Sequence, residues 1–231
     1  AEVNRRRYML PVRLIAVSSS LRDRITRTVG IRDIAVVNNG VDLDLFTPDG
    51  RVPAGPVRRV GMVYYYKASP AIKAVPDGIA ALEKVRRAYA NISFTMFGTR
   101  RDRGVPRWVD FHAAPPRAQI ADIYRSCDVF VCPSREEACQ LPPMEAMACG
   151  CALVATNVGG VPDYAIAGRT ALVSPPGRPD LLSANISRLV EDPHLCRRIA
   201  LAGQTFIQQF SWPAMAAKLE HVLSGSRNGE R

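Results

Sequence analysis

The chain has 231 residues, 47% of them hydrophobic, enough to build a core in one large domain or two small ones. No apolar run reaches the roughly 18 residues that a membrane-spanning helix needs. The formal charge of +10 admits acidic partners, but the clusters Arg5, Arg6, Arg7 and Arg100, Arg101, Arg103 carry no interleaved aromatics to stack bases. Nucleic acid is therefore not an expected partner, whereas peripheral attraction to an anionic membrane surface is compatible with the charge.

The chain starts at Ala1, without methionine or a signal-peptide pattern, so a cytoplasmic protein and a piece of a longer polypeptide are expected. The six cysteines, Cys127, Cys132, Cys139, Cys149, Cys151 and Cys196, match no zinc spacing. Most lie in apolar patterns, where reduced cysteine acts as a small hydrophobe. With His112, His194 and His221 scattered, no metal site and no cofactor are expected.

In chain order, Val12–Val17 predicts a strand, Ser18–Ser20 supply caps, Leu21–Val29 predicts a helix stopped by Gly30, and Ile34–Val37 predicts a second strand. Asn38, Asn39 and Gly40 make a turn, and the glycine- and proline-rich stretch 49–57 reads as a linker. Beyond it, strands at Arg59–Tyr64, Ile92–Phe97, Trp108–Phe111, Asp128–Cys132, Cys151–Ala155 and Thr170–Val173 alternate with helices at Pro76–Tyr89, Arg117–Ser126 and Met144–Cys149. Helices at Pro179–Glu191, Pro193–Phe210 and Pro213–Leu223 follow, and the tail from Ser224 reads as disordered. The alternation predicts an α/β fold with a Rossmann-like, doubly wound parallel sheet, whose ligands bind beyond the carboxyl ends of the strands.

The stretch from Pro133 to Pro162 carries the chemistry. Glu137 stands in a loop and Glu145 just inside a helix start, seven residues between them. Pro142 and Pro143 suit a first helical turn and donate no hydrogen bond, leaving the amides of Gln140, Leu141 and Met144 to favour an anionic phosphate. Carboxylates accept from hydroxyl groups. A nucleotide sugar satisfies both demands, with Glu145 toward a ribose and Glu137 toward a hexose. The alternative for both glutamates is a plain complement to the helix dipole.

The segment LPPMEAMACGCALVATNVGGVPD resembles the E-x7-E signature of the family 4 (group 1) retaining glycosyltransferases, and VVNNGVDLDLFTP resembles the segment that joins their two domains. The resemblance implies a GT-B fold: residues 1–48 as the end of the acceptor-side domain, 49–57 as linker, 58–211 as the donor-binding domain and 212–231 as the crossover helix and tail. It implies transfer of a sugar, with retention, from a UDP-, GDP- or ADP-sugar to a saccharide or lipid-linked acceptor. On the matching positions, Glu137 and Lys73 become the catalytic candidates, Lys73 neutralising the departing diphosphate. Glu145, Gln140, Leu141, Cys139, Met144 and Gly98 become donor contacts. Lys67 is the candidate for a second phosphate-binding cation, with Arg58 and Arg59 as alternatives, and His112 lies where relatives hold the base. Where relatives carry glycine this chain has Ala74, Ala138 and Gln140, side chains expected to narrow or reshape the hexose pocket. Two rival readings are a non-catalytic or partner-dependent nucleotide-sugar binding module and a GT-B-type sugar epimerase.

Overall fold

The computed structural model describes residues 8, 10, 12–51 and 55–225. Arg5, Arg6 and Arg7, linker residues 52–54 and the tail beyond Gly225 lie outside the described residues.

A small unit comes first. Strands β1 (Leu14–Ala16) and β2 (Ile34–Val36) pair in parallel, and helix α1 (Ser19–Val29) packs over them. Ser18 caps α1 by accepting from the Leu21 amide at 3.3 Å, and Gly30, at φ 88°, ends it in the left-handed conformation that glycine tolerates. Among the described residues its buried core is Ala16, Ile25 and Ile34.

The larger unit is one sheet of six parallel strands: β3 (Arg59–Val63), β4 (Ser93–Gly98), β5 (Asp110–Ala113), β6 (Val129–Cys132), β7 (Ala152–Thr156) and β8 (Ala171–Ser174). They lie in the order β5-β4-β3-β6-β7-β8. Both faces are covered, as the unbroken apolar runs predict. Val129, Val131, Ala152 and Val154 pack on one face beneath helices α3 (Val75–Ala88), α7 (Pro179–Glu191) and α8 (Pro193–Ile207). Phe130, Cys132, Leu153 and Ala155 pack on the other, beneath α4 (Arg117–Ser126) and α5 (Leu141–Ala148). This is a doubly wound α/β fold.

Two one-turn helices, α2 (Pro70–Lys73) and α6 (Val161–Tyr164), were not expected from periodicity, being shorter than one hydrophobic repeat. Strand β5 begins two residues later than predicted. Trp108 lies before the strand and packs edge-on against Phe94 at 5.2 Å. The helix predicted to reach Phe210 ends at Ile207 and tightens into a 3₁₀ turn over Gln208–Phe210.

Helix α9 (Trp212–Ser224) returns to the small unit. The Val41 amide donates to the Phe210 carbonyl at 2.7 Å and the Trp212 amide donates to the Val41 carbonyl at 3.1 Å. A Cβ on Gly40 would stand 2.8 Å from the Trp212 Cα, so only glycine permits this crossing.

Candidate active site

The strand order reverses between β3 and β6: the chain runs outward through β4 and β5, then returns to start the other wing at β6. In open α/β sheets the ligand crevice lies at such a switch point, outside the carboxyl ends of the strands. Lys73 follows β3 and Glu137 follows β6, and the fold brings them together across 64 residues of sequence. The Lys73 Nζ stands 2.6 Å from Glu137 Oε1, with side chains only 25% and 9% exposed, so solvent screens the pair weakly. The same ammonium lies 4.6 Å from the centroid of the Tyr65 ring, whose phenol burial pushes up in pKa.

Glu145, on the second turn of α5, faces α4 and accepts from the Tyr124 hydroxyl at 3.0 Å. Burial raises its pKa, opposed by the Tyr124 hydrogen bond and by the charge of Arg117. Tyr124 is itself fully buried and wedged edge-on among Phe46, Phe97 and Phe130, which fixes the hydroxyl that orients the carboxylate.

The helix start of α5 presents few free donors. Gln140 is its N-cap and Pro142 and Pro143 have no N–H, so the amides of Gln140 and Leu141 remain. Two of the expected contacts need correction here. Met144 is fully buried in the core, and its amide is the first on α5 placed to bond within the helix, to the carbonyl of the N-cap. The Gln140 carboxamide does not narrow a pocket: only 4% exposed, it turns inward, donates to Ser134 Oγ at 2.7 Å and accepts from the Cys132 thiol. Cys139 is half-buried in the loop between the two glutamates, and its carbonyl accepts from Asn39 Nδ2 at 3.1 Å.

A cavity of about 370 Å³ opens beside this cluster, at the carboxyl ends of β3, β4 and β5, lined among others by Tyr65, Tyr66, Gly98, Pro115 and Ile120. Gly98 is fixed by backbone packing, since a Cβ there would lie 2.1 Å from the Tyr64 carbonyl oxygen. His112 is inside β5 rather than in the loop after it, with Nε2 3.4 Å from Asp110 Oδ2 and apart from the cavity wall. Lys67, in the left-handed conformation at φ 53°, lies over the Tyr66 ring at 5.3 Å, and Arg100 lies 5.5 Å from the same ring. Arg58 and Arg59 are at the opposite end of the sheet: their amides donate to Asp128 at 2.7 and 3.0 Å at the start of β3, which removes them as phosphate ligands in this crevice.

Sequence reasoning missed Asp163. Its carboxylate accepts from the Ser19 amide at 2.9 Å, from the Ser19 hydroxyl and from Asn38 Nδ2 at 2.9 Å, tying α6 to the first turn of α1. The available signal was an acid in the first turn of a short helix after Gly159 and Gly160, which says nothing about a partner 144 residues away. Next to this contact a groove of about 280 Å³ runs between α1 and the Glu137 loop, with Arg24 and Ser20 on one wall and Glu136 and Ile72 on the other. Among the described residues, no group of three or more His, Cys, Asp or Glu could hold a metal ion, and no helix is long and apolar enough to cross a membrane.

A doubly wound parallel sheet with its charged cluster at the switch point, and a terminal helix crossing back to a second unit, is the architecture of the GT-B glycosyltransferases. Residues 59–192 match the family model described as "Glycosyl transferases group 1", and the chain belongs to that family. It is 30% identical over 234 residues to a glycogen synthase of Mycobacterium tuberculosis, covering 94% of this chain and 55% of the relative. It is also 30% identical over 203 residues to a D-inositol 3-phosphate glycosyltransferase of Segniliparus rotundus, covering 79% of this chain and 45% of that protein. The chain thus spans about half the length of these curated relatives. Among solved structures, Anabaena Alr3699/HepE in complex with UDP-glucose superposes with a TM-score of 0.78 at 19% identity, covering 97% of this chain and 68% of that one.

Proposed function

We propose that the chain is the donor-binding part of a retaining, two-domain glycosyltransferase that takes a nucleotide sugar. In this reading residues 1–48 end the acceptor-side domain, 58–211 hold the donor, and 212–231 cross back. One observation carries it: Lys73 and Glu137 meet at 2.6 Å at the switch point of the sheet, between the cavity and the start of α5. An ammonium suits a diphosphate, a carboxylate suits sugar hydroxyls, and a cavity lined by tyrosines, proline and isoleucine suits a base. The complex of the Anabaena structure with UDP-glucose supports the same ligand class.

The roles follow from position. The base enters the cavity, with Gly98 allowing close approach, and Glu145 accepts from a ribose hydroxyl. Lys73 and the amides of Gln140 and Leu141 neutralise the diphosphate, and Lys67 is the second cation at the loop. Glu137 and Cys139 face the hexose. As the bond from the anomeric carbon to the diphosphate oxygen breaks, charge grows on that oxygen, where Lys73 stabilises it most. The leaving diphosphate takes the acceptor's proton while the acceptor attacks from the same face. A saccharide or lipid-linked acceptor approaches along the groove between α1 and the Glu137 loop.

Calorimetric titration with UDP, GDP and ADP and their hexose conjugates tests the reading. One nucleotide series is expected to bind, and Glu145→Ala to weaken it by about 1–3 kcal/mol, the scale of a charged hydrogen bond. Glu137→Gln divides the ligands differently. It frees Lys73 from its partner, so the bare diphosphate binds at least as well as to the wild type while the hexose conjugate binds worse. Failure of a folded protein to bind any of the series defeats the proposal. The exposed methyl of Ala138 at the loop favours a second reading, a nucleotide-sugar binder without transfer. Turnover of the bound sugar nucleotide with an added acceptor-side domain separates the two.

A further inference from the structure

We infer that Gln140 is a positioning residue that locks the loop carrying Glu137 and Cys139 onto the ends of β6 and β7, and so sets the discrimination for the donor's sugar; this rests on the reading above. Glutamine is a poor N-cap, and here its side chain makes no capping bond to α5. It turns the other way, into the sheet. Its Nε2 donates to Ser134 Oγ at 2.7 Å and its Oε1 accepts from the thiol of Cys132, the last residue of β6. The Ser134 carbonyl in turn accepts from the hydroxyl of Thr156, the last residue of β7. Ser134, Gln140 and Thr156 are all buried, so an unmade bond within this chain of contacts leaves a desolvated polar group behind.

Elsewhere the loop is held toward α2 and α3 by the side-chain pairs Glu137–Lys73 and Arg135–Asp77, and on its backbone. Asn39 holds the Cys139 carbonyl at 3.1 Å, while Gly159 and Gly160 lie so close to the Glu137 and Ala138 carbonyls that a Cβ would come within 1.6 and 2.4 Å of them. Gln140 is the side chain through which the loop itself grips the sheet. That grip fixes the C-terminal end of the loop on the sheet, and the position of the loop decides where the Glu137 carboxylate meets a sugar hydroxyl. The cavity for the base is built from β3, β4 and β5 and their loops and does not include this grip.

Gln140→Met tests the inference, because methionine fills nearly the same volume without hydrogen bonds. In titrations, the affinity of the hexose conjugate relative to the bare nucleoside diphosphate is expected to fall about fivefold, the scale of one net hydrogen bond. Amide exchange at Arg135 and Glu136, whose amides donate to the Ile72 carbonyl at 2.7 and 3.2 Å, is expected to rise roughly tenfold, with the exchange of β3 and β4 unchanged. Ser134→Ala combined with Gln140→Met should add little to either effect, because both remove the same link. Equal loss on both ligands, an unchanged ratio, or unchanged exchange at the loop overturns the inference. Should the wild type bind no nucleotide, the function proposed above fails by itself, and the exchange measurement alone decides the role of Gln140.

Discussion

The half-buried carboxylate of Glu145 links stability to function. Its pKa is raised above the usual glutamate range chiefly by burial, so the folded protein holds this proton more tightly than the unfolded chain does. The sign follows directly: folding loses stability as pH rises through the raised value and recovers it on acidification. Glu145→Gln keeps an oxygen to accept from Tyr124 and removes the desolvated charge. The variant is expected to melt higher than the wild type in mildly alkaline buffer, with the gap closing as the buffer is made acid, while nucleotide binding weakens. Melting curves across pH check it, and a gap that widens on acidification rules the account out. The sequence placed Glu137 in a loop and Glu145 near a helix start. It could not show that Glu137 is met by Lys73, since that contact depends on two strands becoming neighbours.

Among the elements, those with long, regular apolar patterns were legible. Helix α4 and helix α7 begin and end where predicted, at Arg117 and Ser126 and at Pro179 and Glu191, because their buried faces repeat over two or more turns. The loops were not legible, since their shape depends on what they touch. Ala74 takes φ 45° at the junction of α2 and α3, a conformation costing a non-glycine residue about 1–2 kcal/mol, and is held there with its methyl buried. Gly159 follows β7 at φ 51°, and its demand is steric as well as conformational. Gly159→Ala would drive its methyl to 1.6 Å from the Glu137 carbonyl oxygen. It is expected to destabilise the protein by about 2 kcal/mol in urea unfolding and to lose hexose-conjugate binding. Wild-type affinity in that variant would mean that the loop does not need its observed position.

Across the whole molecule, the small unit is tied to the large one. Among the described residues its core holds three buried hydrophobics, and Asp163 ties the first turn of α1 and Asn38 to the large unit. Asp163→Ala is expected to raise amide exchange in α1 roughly tenfold and leave the six-stranded sheet protected, which mass spectrometry of exchanged fragments resolves. Unchanged protection of α1 would mean that the crossover alone secures it. The strand order has one more consequence, for folding. Lys73 belongs to the wing β3-β4-β5 and Glu137 to the wing β6-β7-β8, and within the sheet the wings join where β3 pairs with β6. A chain with one wing formed has half a site, so a nucleotide that recognises both halves ignores it and draws population toward the joined state by mass action. Nucleotide added during refolding would therefore report the moment at which the wings join.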